Sequence, residues 1–96
     1  RNAILAEGEV DHTVLALEGA YYFDASQVDM ANLVVSERTY TCPYKGLCHW
    51  IDLMSDTGVI RDVGWVYTKP DHAYEYIRDK VGFQFGMRPG VIVEKT

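Results

Sequence analysis

The sequence predicts a mainly β fold in a single small domain. Three observations carry that expectation. The chain has 96 residues, 48% of them hydrophobic, enough for one core and too few for two. Its apolar segments are short, rich in Val, Ile, Tyr, Phe and Trp, and punctuated by turn residues. Only one segment carries helical spacing, and alternating βα units are absent, which disfavours a parallel doubly wound nucleotide fold.

Taken in order, residues 3–7 and 12–18 are strand candidates joined by a Glu7-Gly8-Glu9 turn. His12 to Leu17 mixes alternation with a continuous apolar run, so it is a candidate for burial on both faces, and Gly19 ends it. Ala20-Tyr21-Tyr22-Phe23 is a short aromatic strand. Asp24 can cap the amides after it, so Asp24-Ala25-Ser26-Gln27 reads as a turn or one helical turn. Leu33-Val34-Val35 and Arg38-Thr39-Tyr40-Thr41 have strand composition. Pro43 and Gly46 make Cys42-Pro43-Tyr44-Lys45-Gly46 a turn. His49 to Leu53 follows as a strand, and Ser55-Asp56-Thr57-Gly58 is a hairpin turn. Val59 to Tyr67 returns as one or two strands, with a break near Arg61-Asp62. A short helix is expected near 70–81. Thr68 or Asp71 would cap it, Ala73, Ile77 and Val81 share one face, and Gly82 stops it. Phe83-Gln84-Phe85 and Val91-Ile92-Val93 flank a final Arg88-Pro89-Gly90 turn. The domain is taken as 1–96, with no repeat or linker.

Charge narrows the function classes. The net charge is −5, and all of it comes from residues 1–40, where seven acids face two bases. A phosphate backbone would be repelled there and finds no basic stripe in the neutral remainder, so no nucleic acid is expected. No apolar run approaches the roughly 20 residues that span a bilayer, so no membrane partner is expected. The first residues do not read as a signal peptide, and with two Cys and three Met a cytoplasmic location is expected.

The densest chemistry lies between Thr39 and Trp50. Cys42 and Cys48 have five residues between them with His49 adjacent, but structural zinc commonly takes two close-spaced ligand pairs, and His12 and His72 are distant. No metal and no cofactor are therefore expected, and Cys48 reads as a small buried strand residue. Cys42 and Lys45 are the candidate catalytic pair: Lys45 lies across the turn, where it can stabilise a thiolate, and His49 is a candidate base. The simpler reading is a cysteine packed beside a tight turn. Lys45, flanked by Tyr44 and Tyr40, is also a candidate anion anchor, set against the plain reading of a solvated turn lysine. The chain holds twelve aromatics, seven of them Tyr. Trp65 and Tyr67 share a strand face, and Gly64 allows a ring or backbone to come close. Most of these rings must build the core, yet a ring-lined pocket near Lys45 is the sharper expectation. Two-metal nucleotidyl transfer needs two or three convergent acids. Glu7 with Glu9 and Asp52 with Asp56 are the nearest candidates, and all read as exposed turn acids. P-loop, dinucleotide-binding and nucleophile-elbow motifs are absent.

Tyr22-Phe23, then Thr41-Cys42-Pro43-Tyr44-Lys45-Gly46, then Trp65-Val66-Tyr67 with Pro70 resembles a bacterial family, the domain of unknown function 427, across roughly residues 8–86. The resemblance implies a β-tent-like fold of two short antiparallel sheets, related to zinc-binding exchange factors and the ligand-binding domain of cereblon. The family also carries a nucleotidyltransferase label, which the missing acidic motif does not support. Tyr22, Phe23, Cys42, Pro43, Lys45, Gly46, Trp65 and Tyr67 match the family pattern. Asp24 stands where proline is usual and Cys48 where a small residue such as alanine is usual. The expected function is binding of a small anionic or aromatic ligand in a pocket beside the Cys42–Gly46 turn. Tyr22, Phe23, Tyr44, Lys45, Trp65 and Tyr67 would line it. An enzyme using Cys42 and Lys45, and a protein-interaction module, are the alternatives, in a monomer or homodimer.

Overall fold

The computed structural model describes residues 4–8 and 14–84. The expected strand and turn at 85–93, together with Glu9 to Thr13, lie outside the described residues. Six strands form one antiparallel sheet: β1 (Val14–Leu17), β2 (Ala20–Phe23), β3 (Leu33–Cys42), β4 (Gly46–Ser55), β5 (Gly58–Pro70) and β6 (Val81–Gln84). Their spatial order is β1-β2-β6-β5-β4-β3. The mainly β class therefore holds. One continuous sheet stands in place of the two expected, because β6 pairs with both β2 and β5 and joins the short strands to the long ones.

The local signals explain most elements. Glu18 and Gly19 both take positive φ in the two-residue β1–β2 turn, the backbone that matches strand twist. Asp24 caps a 3-10 turn over Ala25–Gln27 in a reciprocal capping box with Gln27. Ser55 pairs with Gly58 across the β4–β5 hairpin, and its hydroxyl donates to the Gly58 carbonyl at 2.7 Å.

The helix expected near 70–81 is not an α-helix. A 3-10 segment runs over His72–Ile77, with Tyr74 at non-helical φ −115°, ψ 23°. Thr68 cannot cap it because β5 extends to Pro70, so Asp71 accepts the His72 N–H instead, at 2.8 Å. Asp79 then turns at φ 61°, and Val81 is drawn into β6 opposite Val66. Sheet pairing thus takes the residue that would have completed the helical face.

Two bulges lie opposite the middle of β4, and a third register shift lies between the Leu47–Lys69 and Cys48–Tyr67 pairs. Between the Val35–Ile51 and Thr39–His49 pairs, β3 advances four residues while β4 advances two. Between Ile51–Gly64 and Leu53–Ile60 the surplus lies in β5. Such insertions leave backbone groups unpaired and bend the strand. Side chains take up the loose groups. The Ser36 hydroxyl donates to the Trp50 carbonyl at 2.8 Å and accepts the Arg38 N–H at 3.2 Å. Asp52 accepts the N–H of Asp62, which sits at φ 58°, at 3.0 Å, and the Arg38 guanidinium bridges both carboxylates. Asp52 is therefore a buried structural acid, not the exposed turn acid expected. Burial pushes its carboxyl up, but Arg38 and the Asp62 N–H outweigh burial and hold it below the usual carboxylate range.

The sheet carries an apolar cluster on each face. Val14, Phe23, Val28, Leu33, Ile51, Val63, Val66, Val81 and Phe83 form one. Ala20, Tyr22, Cys48, Trp65, Tyr67 and Ile77 form the other, with Leu15, Leu17, Cys42, Trp50 and Tyr74 packed against it. Period-two alternation divides them: Phe23 and Val66 go to the first, Tyr22 and Trp65 to the second.

Candidate functional site

The second face is built as a row of cross-strand partners. Trp50 on β4 pairs with Trp65 on β5, Trp65 with Gly82 on β6, Gly82 with Tyr22 on β2, and Tyr22 with Leu15 on β1. Directly opposite residues on an antiparallel sheet share a face, so register alone aligns these rings. Gly82 is the gap in the row. A Cβ there would lie 2.7 Å from Trp65 Cε2 and Nε1 and 3.0 Å from Tyr22 Cε2. With no side chain at 82, the Trp65 indole reaches over β6, and its N–H donates to the Tyr22 hydroxyl at 3.1 Å. The two rings meet edge to face at 6.0 Å, Trp50 and Trp65 do so at 6.2 Å and 78°, and Tyr40 lies 6.3 Å from Trp50.

An open concavity of about 170 Å³ lies on this face, lined by Tyr40, Cys48, Trp50, Trp65, Tyr67 and Gln84. Cys48, Trp65 and Tyr67 are buried, whereas Tyr40 is 49% exposed. Burial pushes the Cys48 thiol and the Tyr67 phenol up, so both stay protonated at neutral pH. Burial also raises the Tyr22 phenol, against the Trp65 hydrogen bond that partly opposes it.

Beside the concavity stands the Pro43–Lys45 turn. Gly46 follows it at φ 104°, and a Cβ at 46 would come 2.5 Å from the Lys69 carbonyl oxygen and 2.6 Å from Asp71 N. Only glycine fits that backbone and that approach. The end of β5 therefore lies against the turn, where the Asp71 N–H donates to the Lys45 carbonyl at 2.6 Å. The Cys42 sulfur accepts the backbone N–H of Lys45, an effect only partly opposed by burial. The Tyr44 N–H, the Lys45 charge and the Tyr67 hydroxyl add to it, and together they hold the thiol below its ordinary range. The Tyr67 hydroxyl also works to lower the Cys48 thiol, but burial dominates there and holds that thiol up. Among the described residues, no group of three or more His, Cys, Asp or Glu forms a metal cluster.

Lys45 is mostly buried, and its ammonium pairs with Glu18 from the β1–β2 turn. It lies 5.9 Å from the centroid of the Tyr74 ring. Burial works against its charge, but Glu18 outweighs burial and holds the lysine above its ordinary range.

Of the residues expected at the site, Tyr22, Cys42, Lys45, Trp65 and Tyr67 come to this one face. Phe23 does not: its ring packs 5.8 Å from Phe83 on the opposite face. Tyr44 does not either, being 73% exposed at the turn tip. His49 faces away, with Nδ1 2.9 Å from the Ser36 carbonyl. Trp50, Tyr40, Cys48 and Gln84 line the concavity without having been assigned to it. The sequence signal for Tyr40 and Cys48 was available, since a hairpin closed at Cys42–Gly46 places them opposite each other.

Residues 2–93 match the family described as Domain of unknown function (DUF427), and the chain belongs to that family. No curated protein matches the chain.

Proposed function

For this member of the DUF427 family we propose a binding domain for a small molecule, held on the ring-bearing face of the sheet. The observation that carries this reading is the concavity of about 170 Å³ with four of its six lining residues Tyr or Trp. Its size is close to the roughly 150 Å³ of an apolar protein cavity that accepts benzene, so it suits one ring or a group of similar bulk. The rings stand on paired strands, and Trp65 is fixed by its bond to Tyr22, so little ordering entropy is lost on binding. Gln84 and Tyr40 supply polar groups at an otherwise apolar lining. Lys45 is engaged by Glu18, which favours recognition through rings over recognition of an anion.

Protein-observed NMR with a panel of one-ring neutral compounds tests this. Trp50→Ala should weaken binding about ten-fold or more, the worth of one aromatic contact with its buried area. Lys45→Ala should change it less than about two-fold. Binding that is lost in Lys45→Ala and kept in Trp50→Ala would overturn the reading in favour of an anion site.

A second reading is thiol chemistry at Cys42, favoured by the backbone N–H groups and Tyr67 hydroxyl gathered on its sulfur. Iodoacetamide labelling against pH should then give a Cys42 midpoint below that of a free thiol, about 8.5. A midpoint at or above that value removes it.

A further inference from the structure

We infer that the concavity recognises a small organic cation, a methylated ammonium group. The inference rests on the binding reading above and names the chemistry of the occupant. Its first support is the disposition of the rings. Trp50 and Trp65 are turned 78° to each other, and Tyr40 and Trp50 42°. A flat ligand gains most from parallel planes on which to stack. Rings turned steeply to one another instead offer walls around a rounded group, the arrangement in which aromatic faces hold quaternary ammonium ions.

The second support is charge. No Lys, Arg or His belongs to the lining. Four cations of the described residues are held in ion pairs: Arg38 by Asp52 and Asp62, Lys45 by Glu18, Lys80 by Asp24 and Arg78 by Glu75. An incoming cation therefore meets no positive charge in the lining itself, and the chain's net −5 attracts it over longer range.

The third support is the direction of the donors. The Trp65 N–H is committed to Tyr22. The indole donor of the lining is thus already used, which leaves the neutral Gln84 amide and Tyr40 hydroxyl and no charged donor for an anion. The rings remain, and their faces carry the negative part of the quadrupole.

Choline and its uncharged carbon isostere, 3,3-dimethyl-1-butanol, have nearly the same shape and separate charge from bulk. Both are titrated into the full chain, with benzamide as a flat neutral probe, and binding is read from Trp indole NMR shifts. Choline should bind about ten-fold or more tightly than the isostere, as ring contacts to a cation provide. Trp50→Leu should remove that preference. Because an indole substitution can disturb folding, Tyr40→Leu at the exposed rim serves as a second variant and should reduce the preference several-fold, with melting temperatures compared throughout. Equal binding of choline and the isostere, or binding of benzamide alone, overturns the cation inference and leaves a small-molecule site in place. If none of the three probes binds at millimolar concentration, both readings fall.

Discussion

Position 82 has no room for a side chain. Trp65 lies across it, Tyr22 stands beyond it, and the hydrogen bond between them fixes both rings. A methyl group there must displace an indole already buried against its neighbours, and overpacking of that kind costs about 1–3 kcal/mol. Gly82→Ala should therefore lower the melting temperature by roughly 5–20 °C in a domain of this size. It should also weaken binding at the concavity, because Trp65 is part of the lining. An unchanged melting curve would show that the rings move aside freely. In sequence, Gly82 reads as a helix stop, since it follows an apolar i, i+4, i+8 series. Its actual role depends on pairing with β2 and β5, residues far away in the chain. Gly64 is different. Its neighbour Trp65 marks it as a site of close approach, and a Cβ there would meet the Gly82 carbonyl oxygen at 2.6 Å.

At the scale of elements, strands bounded by strong turns were legible and bulged strands less so. Ser55 to Gly58 carries its turn in four residues, and the hairpin follows. β3 instead reads as two strands, Leu33–Val35 and Arg38–Thr41, because Ser36-Glu37 breaks the alternation. The chain stays in the sheet since Ser36 and Arg38 supply the missing contacts from their side chains. β5 carries the same lesson at Arg61-Asp62, where the suspected break is a bulge closed by Asp52 and Arg38 from neighbouring strands. The compensations that cross between strands join residues 10 to 24 positions apart, so no local window contains them. Phe23 is an instance where the local rule was enough: adjacent strand residues point to opposite faces, so Tyr22 and Phe23 cannot line one site.

The whole molecule sets these rings and thiols on one face of a single sheet, and that placement governs its response to alkaline pH. Tyr22, Tyr67 and Cys48 are all buried there, and burial holds each protonated above its ordinary range. The unfolded chain releases the Cys48 proton near pH 8.5 and the tyrosine protons near pH 10. Above those values the folded state binds more protons than the unfolded state, so stability must fall as pH rises. Each group that titrates only when unfolded contributes a slope of about 1.4 kcal/mol per pH unit. Cys42 acts in the opposite sense, since its lowered thiol favours the folded state as pH rises toward 8.5. Denaturant unfolding under reducing conditions should therefore show little change up to about pH 8.5, then a decline that steepens past pH 10. Lys45, also held above its ordinary range, adds to the decline past pH 10. Tyr67→Phe removes one of these titrating groups and should flatten the decline, whatever it does to stability at neutral pH. A stability that stays level from pH 9 to 11, or an equally steep fall in Tyr67→Phe, would mean that these phenols reach solvent in the folded protein. The ring face would then be open rather than packed.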